Sequence, residues 1–107
     1  MREFASLRRR AEFSRVTRGG RRFAGTHLTC FVAPGAHRTR VGITVAGAVG
    51  SAVVRNRLRR RLKAILDGYR LGAPPWRDVV LIARPGAGEL GFAALRAEVD
   101  RTFGHAP

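Results

Sequence analysis

Apolar residues along this 107-residue chain recur with two different periods, and the switch between them sets out the elements. Over residues 50–66 (GSAVVRNRLRRRLKAIL), Val54, Leu58, Leu62, Ile65 and then Tyr69 return at helical spacing along one stripe. Ser51 stands where an N-cap is needed, and Asp67-Gly68 close the helix. A shorter helix is predicted over residues 9–18, with Phe13 and Val16 inward, Arg10, Arg15 and Arg18 outward, and Gly19-Gly20 as its stop. Residues 1–8 show little pattern and read as a loosely held basic segment.

Period-two alternation over residues 22–33 predicts a strand with Leu28, Cys30 and Val32 on one face and Thr29 and Phe31 on the other. A turn at residues 34–37 (PGAH) leads to a second strand over 40–46, with Val41, Ile43 and Val45 sharing a face. Beyond a stiff connector at 71–75, residues 76–83 are almost entirely apolar, the pattern of a strand buried on both faces. Residues 84–88 break it. Phe92, Leu95, Val99 and Phe103 then mark a closing helix with Arg96, Glu98, Asp100 and Arg101 on its wet side. The order α-β-β-α-β-α describes one α+β domain, with helices packed on a small mixed sheet.

Charge changes the picture. Lysine and arginine number 21 against 7 acids, for a net charge of +14 and a pI near 12, which calls for a polyanionic partner. Eight of the cations precede residue 26 and six lie between Arg55 and Lys63. Those six, Arg55, Arg57, Arg59, Arg60, Arg61 and Lys63, have no acid beside them before Asp67. Like charges at i, i+4 repel, so the face is built for an external anion. Arginine's planar fork suits phosphate oxygens and base edges. No apolar run reaches the ~20 residues of a membrane span, and the N-terminus lacks the apolar core of a signal peptide, so a cytoplasmic location is expected. The lone cysteine, Cys30, reads as a small buried hydrophobe.

The chemistry-bearing residues do not assemble an active site. Glu3, Glu12, Asp67, Asp78, Glu89, Glu98 and Asp100 show no metal-ligand spacing. His27, His37 and His105 are isolated and read as surface residues. What remains is a nucleic-acid-binding protein, and one class that fits is a general basic RNA- or DNA-binding protein of ribosomal or nucleoid type. A helix-turn-helix factor is disfavoured, because no second helix directly precedes the basic one.

Val49-Gly50-Ser51-Ala52-Val53-Val54-Arg55-Asn56-Arg57, followed by Leu58-Arg59-Arg60, resembles the signature of the bacterial ribonuclease P protein subunit. Glu12-Phe13 with Val16, the strand around Arg40 to Val45, and Asp78 to Pro85 extend the resemblance over most of the chain. The resemblance implies an αβββαβα fold, in which the first predicted strand is split in two and the crossover between parallel strands is left-handed. It implies that the protein assists a catalytic RNA, which holds the Mg2+ ions and removes the 5′ leader from precursor tRNA. By position, Arg55, Asn56, Arg57, Arg59, Arg60, Arg61 and Lys63 are then the RNA-binding set. Phe13 and Phe31 line a leader cleft between first helix and sheet, with Arg10 and Thr17 beside them. Neither an obligate protein partner nor a catalytic side chain is implied. For Phe13, core packing and base stacking remain equal alternatives; for Phe31, its strand face favours stacking. The chain departs from the family pattern at Ala46-Gly47-Ala48, where Ser-Lys-Lys is usual, and at Thr17, where a second aromatic is common.

Overall fold

The computed structural model describes residues 2–105, apart from the side chain of His105. Five strands and three helices alternate along the chain: β1 (Ala5–Ser6), α1 (Arg10–Gly19), β2 (Arg21–Ala24), β3 (Leu28–Pro34), β4 (Arg40–Val45), α2 (Ala52–Asp67), β5 (Arg77–Ala83) and α3 (Phe92–Thr102). The strands form one mixed sheet in the order β1-β4-β5-β3-β2. β4 runs parallel to β5 and to β1, while β3 is antiparallel to both β5 and β2. The most apolar stretches, β3 and β5, lie side by side in the middle, where both faces are covered.

Alternation divides the sheet's side chains between two cores. One face carries Leu28, Cys30, Val32, Val41, Val45, Val79, Leu81 and Ala83 against Leu58, Leu62, Ile65 and Leu66 of α2 and Leu95 and Val99 of α3. The other carries Ala33 and Val80 against Val16 of α1 and Leu7, with Phe13, Phe31 and Ile82 only partly covered. α1 is short, so it roofs only part of its face.

The split of the first strand is real. Gly25 N–H donates to the Leu28 carbonyl at 2.7 Å and closes a hairpin between β2 and β3. Four expectations need correction. Residues 2–8 are not loosely held, residue 1 lying outside the described residues: Phe4 and Leu7 are buried, and Leu7 N–H donates to the Val41 carbonyl at 3.0 Å. Phe4 and Leu7 sit three apart, so they enter opposite cores, and neither a helical nor a strand period reveals them. In α3, Phe92 is exposed whereas Glu98 is buried, because the covered stripe runs through Leu95, Glu98, Val99 and Thr102. Glu98 accepts from His27 Nδ1 at 3.0 Å, so His27 is a half-buried, partnered residue and not an isolated surface one. Tyr69 falls beyond the end of α2; its ring meets Phe103 edge-on at 5.2 Å, and its hydroxyl donates to Asp100.

Candidate nucleic-acid interface

α2 is fixed at both ends by short-range chemistry. The Ser51 hydroxyl accepts from Val54 N–H at 3.3 Å, and Gly68 N–H returns to the Ile65 carbonyl at 3.1 Å. Leu58, Leu62, Ile65 and Leu66 turn inward, which leaves the intervening cations outward. Asn56 and Arg60 are exposed, and Arg55, Arg57, Arg59, Arg61 and Lys63 are half-exposed. None of the six cations has a carboxylate partner among the described residues. Arg59 instead donates to Asn56 Oδ1 at 3.1 Å, which holds its guanidinium along the helix surface. Arg61 lies 3.4 Å from the Leu90 carbonyl and, with Arg57, Val49 and Val54, flanks a groove of about 620 Å3 against residues 88–91.

The cleft begins one element away. Register places Arg22, Phe31, Val80 and Gly42 in a row across β2, β3, β5 and β4 on the α1 side of the sheet. The Phe13 ring lies on Gly42, so close that a Cβ added there would come within 2.4 Å of the ring. Phe13 is therefore both a packing residue of the smaller core and, being half-exposed, a wall of the cleft. Phe31 is half-exposed between Arg22 and Val80. Thr17 donates its hydroxyl to the Ser14 carbonyl of its own helix at 3.3 Å, and Arg10 stands exposed in the first turn. Of the predicted cleft residues, Phe13 and Phe31 meet in one apolar cluster; Thr17 and Arg10 share the helix without joining it.

The two regions adjoin. A cavity of about 150 Å3 at the edge of β4 is lined by Phe13 and Leu7 from the α1 side and by Ile43, Arg59 and Lys63 from the α2 side. The basic helix and the aromatic cleft thus share a wall. Gly42, Arg22 and the β4 edge were not singled out in the sequence. Only strand register, which periodicity does not supply, brings them beside Phe13 and Phe31.

α1 is latched by a buried carboxylate. Asp78, its side chain 2 % exposed, accepts from Arg40 Nε at 3.0 Å and Nη2 at 2.9 Å, and from Arg15 Nη2. Arg40 reaches on to Glu12, whose carboxylate also takes the Arg9 N–H at 3.2 Å. The hydrogen bond to Asp78 holds the Arg40 guanidinium above its ordinary pKa. The Arg9 backbone bond, followed by Arg40, holds Glu12 below the ordinary carboxylate value. Among the described residues, no three His, Cys, Asp or Glu side chains converge as a metal site. The buried carboxylates of Asp78 and Glu98 are already engaged. No described helix is long and apolar enough to cross a membrane.

A basic helix beside an aromatic-walled cleft on an α+β sheet defines a small nucleic-acid-binding protein. The Ribonuclease P family model matches residues 1–107, and the chain belongs to that family. It is 39% identical over 104 residues to the ribonuclease P protein component of Acidothermus cellulolyticus, covering 92% of this chain and 84% of the relative. With the component from Roseiflexus castenholzii it shares 43% identity over 98 residues, covering 89% and 80%. In fold it is similar to the RNase P protein of Staphylococcus aureus, with a TM-score of 0.84 at 20% identity and 92% of each chain covered.

Proposed function

We propose that this protein is the accessory subunit of a ribonuclease P holoenzyme, which removes the 5′ leader of precursor tRNA. In this reading α2 grips the RNA subunit. Arg55, Arg57, Arg59, Arg60, Arg61 and Lys63 face phosphate oxygens, and Asn56 holds Arg59 in position. The leader enters between α1 and the sheet, where the faces of Phe13 and Phe31 stack on unpaired bases and Arg10 and Arg22 meet the adjoining phosphates. Thr17, with its hydroxyl bonded within α1, serves as a small neutral wall.

In this reading the chemistry belongs to the RNA subunit, which would hold the Mg2+ ions and with them would supply water activation and charge stabilisation. The protein's own buried acids do not fit that task, because Asp78 is already paired with Arg15 and Arg40 and Glu98 is hydrogen-bonded to His27. Its contribution is position: it tethers the leader while the catalytic RNA holds the tRNA body. The observation that carries this reading is the shared wall at β4, where Phe13 of the cleft and Arg59 and Lys63 of the basic helix line one cavity. One RNA-bound protein can therefore hold two RNA segments at once.

Reconstitution tests it. Added to a ribonuclease P RNA at low Mg2+, the protein is expected to raise the rate of leader removal, and alone it should cleave nothing. Equal coating of every RNA offered, with no change in cleavage, would leave only a general basic binding protein.

A further inference from the structure

An unassigned apolar hollow lies at the far end of the sheet, where β2 and β5 begin and β3 ends. It encloses about 300 Å3, and its walls include Arg21, Val32, Pro34, Trp76 and Arg77. Strand alternation sends Arg21, Val32, Pro34 and Arg77 to the α2/α3 side of the sheet, the opposite side from Phe31. The hollow is therefore separate from the leader cleft and from the cations of α2. Its frame is tight: Gly35 N–H donates to the Trp76 carbonyl at 2.9 Å, and Gly20 packs against the Val32 backbone with no space for a side chain.

We propose that this hollow is a second site for single-stranded RNA, seating one unpaired base against Trp76 while Arg21 holds a neighbouring phosphate. Three observations carry the proposal. The size suits one nucleotide, lying at the lower end of the ~300–1,000 Å3 range of ligand pockets. The walls combine an indole with Pro34 and Pro75, and flat apolar surfaces of this kind take a base of any identity. Exposed Arg21 brings a cation to the wall, with no carboxylate among the lining residues, so an anionic chain is favoured over a neutral or basic peptide. Arg21 is exposed, with its guanidinium 5.7 Å from the Phe23 ring, and it adjoins Arg22 on the edge strand β2. Because Arg22 faces the Phe31 side and Arg21 the hollow, an RNA strand leaving the cleft over that edge meets a cation on each side. The proposal rests on the RNA-binding reading above, but it concerns a different surface.

Trp76 is the only tryptophan, so its emission reports this hollow directly. The full chain is titrated with a labelled hexamer of unpaired ribonucleotides, following RNA anisotropy and Trp76 emission together. Both signals should saturate in parallel, whereas a hexamer of abasic ribose phosphates should bind without quenching. Gly19 lines the mouth, and a Cβ there meets nothing within 4 Å, so Gly19→Leu should fill the hollow while the fold persists. That variant should abolish quenching and leave anisotropy reporting the other RNA-facing surfaces. Arg21→Gln should raise the half-saturation of quenching about threefold to tenfold, as expected when one phosphate goes unneutralised. RNA that binds by anisotropy with Trp76 emission unchanged overturns the proposal, as does undiminished quenching in a folded Gly19→Leu variant. Equal quenching by a phosphate-free proline-rich peptide reassigns the hollow to a protein partner. Absence of any anisotropy change overturns the RNA-binding reading of α2 along with this one.

Discussion

Gly42→Ala isolates the packing on which the cleft geometry depends. The added Cβ would come 2.4 Å from Cζ and 2.5 Å from Cε1 of Phe13, whereas carbon atoms pack best at about 3.5–4.0 Å. Phe13 must therefore shift by about 1 Å or more, or α1 must lift. Overpacking of this kind costs about 1–3 kcal/mol, and in a domain of this size each kcal/mol lowers Tm by about 4–8 °C. Circular dichroism melts give the stability, and precursor binding to the holoenzyme gives the functional readout. The decisive comparison is a double-mutant cycle with Phe13→Ala. With the ring removed the methyl has room, so Gly42→Ala should cost under about 0.5 kcal/mol in that background, a coupling well beyond simple additivity. An equal cost in both backgrounds would mean that the glycine is needed for something other than the ring, and the account of the cleft wall would fail.

Replacing Arg55, Arg57, Arg59 and Lys63 together by Gln should keep the melting temperature, since the buried stripe is untouched, and weaken binding to the catalytic RNA. Its log–log salt slope should fall by roughly 0.7–0.9 for each phosphate no longer neutralised; an unchanged slope in a folded protein excludes α2 as the electrostatic site. Phe31→Ala should weaken holoenzyme binding of precursor tRNA by about tenfold to a hundredfold, following ~1–3 kcal/mol per stacked base, while mature tRNA is little affected. Equal losses for both RNAs would assign Phe31 to folding or to the RNA subunit. Burial pushes the Cys30 thiol up to about 12, Arg77 opposing only in part, so native protein should resist a thiol reagent at about pH 8.5 and react once unfolded. Because the folded value lies above the ordinary 9.0, this group's contribution to stability is complete below about pH 9 and drains away as pH rises toward about 12, which alkaline melts can follow.

The sequence was most legible where one residue type repeats at a fixed interval. The basic face of α2, its apolar stripe and the alternation of β3 need only local periodicity, and they appear where that periodicity puts them. What stayed hidden depends on pairing between distant segments. Gly42 looks like any strand glycine until register sets it beneath Phe13. Glu98 reads as solvated because the pattern of one helix cannot show that His27, 71 residues earlier, fills its hydrogen bonds. Asp78 likewise looks like a polar interruption of an apolar strand, and the two guanidiniums that neutralise it come from α1 and β4.

The short first strand has a consequence for how the molecule comes together. β1 has its hydrogen-bond partners on β4, Phe4 belongs to the core shared with α2, and Arg2 pairs with Asp67 at 2.9 Å. A segment translated early thus has no pairing partner until β4 has followed, and its full set of contacts only once the chain has reached the end of α2. Until β1 pairs, the β4 edge stays open along its whole length, a row of unpaired backbone groups beside an apolar surface. Covering that edge at Arg40 and Val41 is a non-local step, and the same step brings Leu7 up to Val16 and Phe13. The wall between the basic helix and the aromatic cleft therefore depends on contacts between segments far apart in the chain.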